Sequence, residues 1–370
     1  MKKIKLTGLV FLALLLSHCL LDSKSGGDDS VKRNEEWGNV LVLGSDFKTG
    51  KLQTKMKADT AYTKASLTIH KDAKAIENKG NLYVLERFGA DNILKLDLSK
   101  SKDSAVSYQT HLGDNWNPSD IAFSGEKAFI TLENEPKLLV FDPVAGKVTK
   151  SIDISSYIYK PDTGSTASSP HAKALSMVGE NLYVLLQRRH GNYTASPDTA
   201  KVLRVNVKND AIEKAINLRY RNPQAMIEDN GSLYVSAIGA GSWGALGDGG
   251  IEKLVLSTTQ STSVITDTDL GGDPMKMVQK SGSIYYVIVY VGWGNVQVKE
   301  VDFSTGKVLK TIEGITDAFG GIAYDKVDEV LYVCERATEK SGLKTFDKDG
   351  KLIAGPLKGT LPPNGVVLLK

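Results

Sequence analysis

The stretch NPSDIAFSGEKAFITLENEPKLLVFDPVAGKVTKSIDI, residues 117–154, shows how the whole chain is built. It holds four short runs rich in β-branched and aromatic residues, at 121–123, 127–131, 137–141 and 148–152. Each run is bounded by Gly, Pro, Asn or Asp, a pattern that predicts strands joined by turns. Four strands cannot bury a core alone, so this unit needs neighbours of its own kind.

Related units recur along the chain. First strands of such units start near residues 73, 119, 173, 224, 275 and 320, and a seventh, residues 365–369, ends the chain. The strands that this last unit lacks lie at the other end, at 39–43, 52–56 and 66–69. We therefore predict an all-β, seven-bladed β-propeller that is closed by pairing of the C-terminal strand with the N-terminal blade, which leaves no sheet edge open. No helical periodicity is sustained, so almost no helix is expected.

The first 18 residues have the pattern of a signal peptide. Three lysines within the first five residues precede an apolar run at 6–16, which is too short to cross a hydrocarbon core of about 30 Å. The following Leu-Ser-His-Cys resembles the bacterial lipobox, although His18 stands where that motif has Gly, Ala or Ser. The resemblance implies a lipid on Cys19, and an ordinary secretory signal is the alternative.

These features divide the chain into a lipoprotein signal peptide at 1–18, a flexible polar tether at 19–37 and the propeller at 38–370. Leu20 follows the lipidated position, and by the bacterial sorting rule a residue other than Asp there implies the outer membrane. Whether the protein faces the periplasm or the outside stays open. We expect no membrane contact other than the lipid.

Charge and cysteine content narrow the classes of function. The formal charge of +3 falls to zero without the three leader lysines, and a neutral domain lacks the basic face that nucleic acid requires. Cys19 and Cys334 are the two cysteines. Cys334 ends the apolar run 330–334, so we predict a buried free thiol rather than a disulfide with the tether.

Repeated short motifs carry a resemblance to a known family. LYV occurs at 82–84, 182–184 and 233–235, and two turns read FDPVAGKV and VDFSTGKV. With these motifs the chain resembles the YVTN/YncE-like bacterial β-propellers, among them largely uncharacterised secreted members, over roughly residues 38–370. The resemblance implies the fold and does not imply a reaction, because one fold hosts many functions.

Aromatic and arginine side chains collect in the loops of one predicted face. In a propeller, the loops that precede inner strands and those that join second to third strands share a face, whereas the opposite turns here are short and polar. Such loops are the usual material of a recognition surface, and Trp offers a flat platform for ring-shaped ligands. We predict that a small molecule or a protein partner binds there; the alternative is that these side chains pack the loops together. The predicted ligand-binding residues are Arg87, Trp116, Asn117, Arg188, His190, Tyr193, Trp243, Trp293 and Arg336.

Two further functions stay open. No G-x-S-x-G nucleophile motif and no His pair at metal-ligand spacing occurs, so we do not predict an enzyme. Lactonase-type propellers, which are similar in fold, hold a metal with acidic residues and Asn from several blades, and that likeness implies a metal-dependent hydrolase as one alternative. Its metal, with Ca²⁺ as the candidate ion, would use Glu86, Glu133, Asp273 and Asp317, although acidic residues in turns are more often turn formers. A scaffold subunit of an outer-membrane complex is the other alternative.

Overall fold

Seven antiparallel four-stranded sheets follow one another along the chain and form a ring of blades. The structure is a computed structural model, and it describes residues 32–62, 66–160, 167–190, 198–240 and 243–369. The sequence prediction of a seven-bladed all-β propeller is confirmed. In each blade the first strand is innermost, and neighbouring inner strands contact one another all the way around the ring.

The strands are numbered in chain order and grouped here by blade, innermost first. Blade 1 consists of β28 (Pro363–Leu368), β1 (Val40–Ser45), β2 (Gly50–Lys55) and β3 (Ser66–Ile69); blade 2 of β4 (Ala73–Asn78), β5 (Asn81–Glu86), β6 (Asn92–Asp97) and β7 (Val106–His111); blade 3 of β8 (Pro118–Ser124), β9 (Lys127–Leu132), β10 (Lys137–Asp142) and β11 (Lys147–Asp153). Blade 4 consists of β12 (Ala172–Val178), β13 (Asn181–Leu186), β14 (Lys201–Asn206) and β15 (Ala211–Asn217); blade 5 of β16 (Pro223–Asp229), β17 (Ser232–Ala237), β18 (Gly250–Val255) and β19 (Gln260–Thr266). Blade 6 consists of β20 (Asp273–Ser281), β21 (Ile284–Gly292), β22 (Asn295–Asp302) and β23 (Lys307–Thr311); blade 7 of β24 (Ile322–Asp325), β25 (Val330–Glu335), β26 (Gly342–Phe346) and β27 (Leu352–Leu357).

Helical structure is confined to one short α-helix and four 3₁₀ turns in the described residues. The helix α1 (Asp267–Leu270) begins where the Thr266 side chain accepts a hydrogen bond from the Asp269 amide, and it ends at Gly271 with a φ of 72°. The 3₁₀ turns are Lys102–Ser104, Ser155–Tyr157, Ala318–Gly320 and Thr338–Lys340. In the part of the chain that the structure describes, no helix has the length and apolar character needed to cross a membrane.

The core lies between neighbouring blades. The second strand of a blade is covered on both faces, which is why it reads as an unbroken apolar run such as NLYVLE in β5, whereas the outermost strand β11 is largely exposed. Between blades 1 and 7, Val40, Val42, Tyr332, Cys334 and Val366 form one such cluster. Cys334 is a free, buried thiol, as predicted.

Ring closure occurs in blade 1, as predicted. Strand β28 pairs antiparallel with β1, with Val40 opposite Leu368, and the Leu369 amide donates to the Asn39 carbonyl at 2.8 Å. Lys57 Nζ in blade 1 lies 2.5 Å from Asp325 Oδ2 in blade 7, and this ion pair links the first and last blades of the ring.

The alternating direction of the strands gives the ring two different faces. The loop face carries the loops before each inner strand and those between second and third strands; the turn face carries the hairpins between first and second strands. The described chain enters at the turn face, where Trp37, the last residue of the predicted tether, is buried and donates from Nε1 to the Lys100 carbonyl at 2.9 Å. The Asn34 amide likewise donates to the Leu98 carbonyl, so the last tether residues are packed against blade 2.

Candidate functional site: the central channel and its loop-face mouth

The seven inner strands surround a central channel with a cavity of about 720 Å³. Every blade contributes at least one residue to its wall. The inner strands are only partly buried, because one of their faces lines this channel. Strand β4 is partly buried along its whole length. The channel is therefore lined by residues of six inner strands and of the 3₁₀ turn that precedes the seventh, β24.

β-Bulges lie at the loop-face ends of five inner strands, and the residues that they insert contribute to the channel wall. Where β8 pairs with β9, the register steps from Pro118 to Asp120 and leaves Ser119 unpaired, and the same step occurs in β12, β16, β20 and β28. A bulge inserts a residue that the partner strand does not match and thereby re-aims its side chain. The inserted residues, all in the channel wall, are Ser119, Lys173, Gln224, Met275 with Lys276, and Asn364.

Proline explains why most of these bulges form where they do. Pro118, Pro223, Pro274 and Pro363 directly precede the inserted residues. Proline has no amide to donate to a ladder, so it is tolerated at the first residue of a strand or beside a bulge. The residue after each of these prolines was not predicted to line a channel.

Lysines from three inner strands lie near the loop-face end of the channel. Lys74, Lys173 and Lys276 belong to β4, β12 and β20 and fall within the first four residues of those strands. Lys74 Nζ lies 2.6 Å from Asp120 Oδ1 of the next blade. Burial lowers the pKa of Lys276, and the charge of Lys74 lowers it further, although solvent in the channel reaches this side chain.

Glu133 is the centre of a buried charge cluster beside the mouth. Its carboxylate is 2.7 Å from Arg189, 3.2 Å from Arg87 and 3.8 Å from Lys173, and it accepts a hydrogen bond from Asn117 Nδ2 at 3.3 Å. Burial alone would raise the pKa of this carboxyl, but the three cations outweigh burial and lower it. The Glu133 cluster, meaning Glu133 with Arg87, Arg189 and Lys173, therefore holds three cations around one carboxylate.

Three aromatic rings form a rim cluster at the channel mouth: Trp243, Tyr290 and Phe319. The ring of Trp243 meets Tyr290 edge-on with centroids 5.3 Å apart and lies 6.2 Å from Phe319. Trp243 and Phe319 line the channel and are 43% and 45% exposed. Exposed aromatic faces at the edge of a cavity are the usual contacts of a flat apolar ligand.

The other two predicted tryptophans lie elsewhere on the loop face. Trp116 packs on its own blade, with Lys137 Nζ 3.7 Å above its ring, and a Cβ at Gly113 would overlap that ring. Trp293 is 97% exposed in the short turn between β21 and β22. Of the three predicted tryptophans, Trp243 alone belongs to the channel wall.

Asn117 and Arg188 have structural partners and unusual backbone geometry. Asn117 is buried with a φ of 52°, its amide donates to Asp91 Oδ1 at 2.7 Å, and its carbonyl accepts from the Glu133 amide at 2.9 Å. Arg188 has a φ of 51° and donates from Nε to the Tyr157 carbonyl at 2.9 Å and from Nη1 to Asp198 at 2.5 Å. The left-handed region is sparsely populated by residues other than Gly, and Asn is among those that tolerate it best. Both side chains hold loops together.

Three predicted ligand-binding residues remain, namely His190, Arg336 and Tyr193. His190 meets the ring of Tyr159 edge-on at 5.8 Å, and its buried Nδ1 has no hydrogen-bond partner among the residues that the structure describes. Arg336 donates to the Pro363 carbonyl and to Asn364, both at 3.1 Å, so it fastens the closing strand. Tyr193 lies outside the described residues, as does Cys19.

Buried carboxylates on the loop face mostly accept hydrogen bonds from backbone amides. Glu86 accepts from the His70 amide at 2.8 Å, and Asp317 accepts from the Phe319 amide at 3.0 Å. Asp273 accepts from the Gly244 amide at 2.6 Å through Oδ2, while its buried Oδ1 has no hydrogen-bond partner in the described part of the chain; burial raises the pKa of this carboxyl group. Glu133 is held by the cations described above. Among the residues that the structure describes, no three His, Cys, Asp or Glu side chains are grouped to hold a metal ion.

Comparisons with known proteins support the fold. No protein-family model and no curated protein matches the sequence. A functionally unknown protein from Desulfotomaculum acetoxidans is similar in structure with a TM-score of 0.61 and 14% identity, covering 90% of this chain and 99% of its own. Apo AztD from Citrobacter koseri has a TM-score of 0.55 with 11% identity, covering 88% of this chain and 96% of its own. A putative 6-phosphogluconolactonase from Bacteroides fragilis has a TM-score of 0.56 with 13% identity, covering 90% and 97%. At such identities the likeness shows a shared propeller fold alone.

Proposed function

We propose that the protein is a lipid-anchored, YVTN/YncE-like propeller of the bacterial envelope that binds a small molecule at the loop-face mouth of its channel. One observation carries the proposal: a cavity of about 720 Å³ has the exposed rings of Trp243 and Phe319 in its wall. Small-molecule sites are concave, mostly apolar and roughly 300–1,000 Å³ in volume. The cavity has a suitable size and offers flat apolar contacts at its edge.

The place where the chain joins the ring agrees with a membrane anchor. Trp37 packs on the turn face, and the rim cluster lies on the loop face. A lipid on Cys19 would hold the turn face toward the membrane. The channel mouth would then be directed away from the lipid surface, where a ligand can reach it.

Binding is tested with the neutral aromatic probe N-phenyl-1-naphthylamine, whose fluorescence rises in apolar surroundings. The chain carrying Cys19→Ser is used, because without the lipid it can be titrated in the absence of detergent. Trp243→Ala should weaken binding by about 5- to 150-fold, the equivalent of about 1–3 kcal/mol for an aromatic anchor. Trp293→Ala is the matched control and should leave the affinity unchanged, because this ring is 97% exposed outside the channel wall. Equal effects of the two substitutions, or no saturable binding, would refute the proposed site.

The lipid anchor has its own test. Cys19→Ser should abolish incorporation of labelled fatty acid and move the protein from the membrane fraction to the soluble fraction. A variant that stays membrane-bound with its label intact would contradict lipidation at Cys19. The hydrolase and scaffold alternatives stay predictions from the sequence, since no contact in the channel favours either.

A further inference from the structure

The charges in the channel wall identify the class of ligand, provided that ligands bind there as proposed. The charged residues of the wall are Asp72, Lys74, Arg87, Asp120, Lys173 and Lys276, four cations and two carboxylates. Arg87 and Lys173 also belong to the Glu133 cluster, in which Arg189 balances the single carboxylate. The channel wall and the Glu133 cluster together therefore carry two more positive than negative charges.

Lys276 is the lysine of the channel wall that forms no ion pair in the described part of the chain. Lys74 lies 2.6 Å from Asp120 and Lys173 lies 3.8 Å from the shared carboxylate of Glu133, whereas Lys276 has no ion pair and no hydrogen bond with any described residue. Its β-bulge places it in the channel wall, where solvent reaches it. A solvent-accessible ammonium group in the wall of a cavity is free to form a charge-assisted hydrogen bond with a bound anion.

Further unused donors lie in the Glu133 cluster. The Nε atoms of Arg87 and Arg189 are buried and have no acceptor among the residues that the structure describes. A buried donor without a partner costs roughly 1–3 kcal/mol. Arg87 and Arg189 beside the mouth and Lys276 on β20 thus have donor atoms that no described residue of the chain uses.

The apolar rim lies beside the free lysine. A Cβ at Gly321 would be 3.8 Å from Lys276 Nζ, so the absence of a side chain there leaves the ammonium group uncovered. Gly321 follows Phe319 by two residues, and Phe319 faces Trp243 at 6.2 Å. The partner of Trp243 in the rim cluster, Tyr290, pairs in the sheet with Asp273, three residues before Lys276. An apolar surface and an unpaired cation are therefore neighbours at one mouth.

We infer that the channel binds an organic anion, with a flat apolar group against Trp243 and Phe319 and a carboxylate, phosphate or sulfonate group against Lys276. The apolar group alone would explain the rim but not the charge, and an inorganic anion would leave the rim uncovered. Inside a protein wall the attraction between opposite charges is stronger than in bulk water. The excess of positive over negative charge in the wall also attracts an anion from solution.

The test compares two probes with one ring system. 1-Anilinonaphthalene-8-sulfonate carries a sulfonate that N-phenyl-1-naphthylamine lacks, and both are titrated into the Cys19→Ser chain at low salt. The sulfonate should bind about 10- to 100-fold more tightly, the range for one hydrogen bond to a charged group. Lys276→Met should remove most of this difference and leave the neutral probe unchanged. Lys307→Met, on the exposed outermost strand of the same blade, is the matched control and should change neither affinity.

The outcomes separate the two proposals. Equal affinities of the two probes, or a sulfonate affinity that Lys276→Met leaves intact, overturn the anion inference while a loss on Trp243→Ala still supports the channel site. If Trp243→Ala affects neither probe, the channel site itself is refuted. Lys276→Gln, which keeps a polar group of similar length, repeats the test should the methionine variant fold poorly, and it should lose the same share of sulfonate affinity.

Discussion

The two faces of the ring are built in different ways. Turns on the turn face are short and local, such as those with Gly125 and Gly179, whose φ is 59° at both positions. Loops on the loop face are longer and depend on distant groups: Glu335 accepts from the amides of Thr316 and Asp317, both at 2.8 Å, and from Lys344 Nζ at 3.0 Å. A long loop has backbone amides without a ladder partner, and a buried carboxylate supplies the acceptor. The turn face is therefore specified by local sequence, and the loop face is specified by tertiary contacts.

The largest effect is expected at the ring closure, where β28 pairs with β1. Between β28 and β1 no peptide joins the strands, so deleting residues 363–370 removes the inner strand of blade 1 and opens the ring. The loss should abolish cooperative thermal unfolding or cause aggregation. The reactivity of Cys334 measures this opening directly, because Val366 packs against its thiol. In the intact ring, burial raises the pKa of the thiol to about 12. In a Cys19→Ser background it should resist maleimide labelling in the intact ring and react quickly in the truncated one. A truncated chain that melts like the full one, with its thiol protected, would contradict closure.

An intermediate effect is expected from a loop-face anchor. Glu335→Ala leaves Lys344, a side chain only 4% exposed, without its carboxylate and strips three amides of their acceptor. Breaking such a buried pair costs about 3–5 kcal/mol. The matched turn-face change is Glu180→Ala, which removes an exposed pair with Lys208 and should cost less than about 1 kcal/mol. Urea unfolding of both variants measures the difference, and equal costs would erase the contrast between the faces.

The smallest expected effect is a pH dependence of stability that arises from His171 on the loop face. Burial lowers the pKa of His171 to about 4, with the charge of Arg189 adding to the shift. The unfolded chain therefore takes up this proton first, near pH 6.5, so the contribution of His171 to stability is complete above that pH and is lost as pH falls toward 4. The loss should be on the order of 2–3 kcal/mol at most. His171→Gln should flatten the melting temperature between pH 6.5 and 4.5; an unchanged slope would show that other groups govern it.

Much of the fold could be predicted because the strand signals are local. The Asn-Pro pairs at 117–118 and 222–223 mark the starts of β8 and β16, and Asp-Pro at 273–274 marks β20. Proline restricts its own φ and that of the residue before it, so such a pair identifies a strand start without knowledge of the neighbours. The apolar run of β28 without a following strand was enough to predict closure.

The candidate site could be predicted only in part. Trp243 and Trp293 look alike in sequence, each in a loop next to glycine, yet one faces the channel and the other is exposed. Lys173 and Lys276 were not predicted as site residues, because in sequence an isolated lysine near the start of a strand is indistinguishable from an ordinary exposed residue. The signal that could have found them is a position within the first four residues of an inner strand, where a bulge re-aims the side chain.

The sequence by itself determined the number of blades, the way the ring closes and which face carries the long loops, because each follows from patterns within a few residues of one another. Only the tertiary structure decided which side chains meet. Lys74 reaches Asp120 across 46 positions and Arg189 reaches Glu133 across 56, and Lys276 is left without a partner. Such pairings depend on how blades are rotated and on where bulges interrupt their registers, which no local pattern encodes.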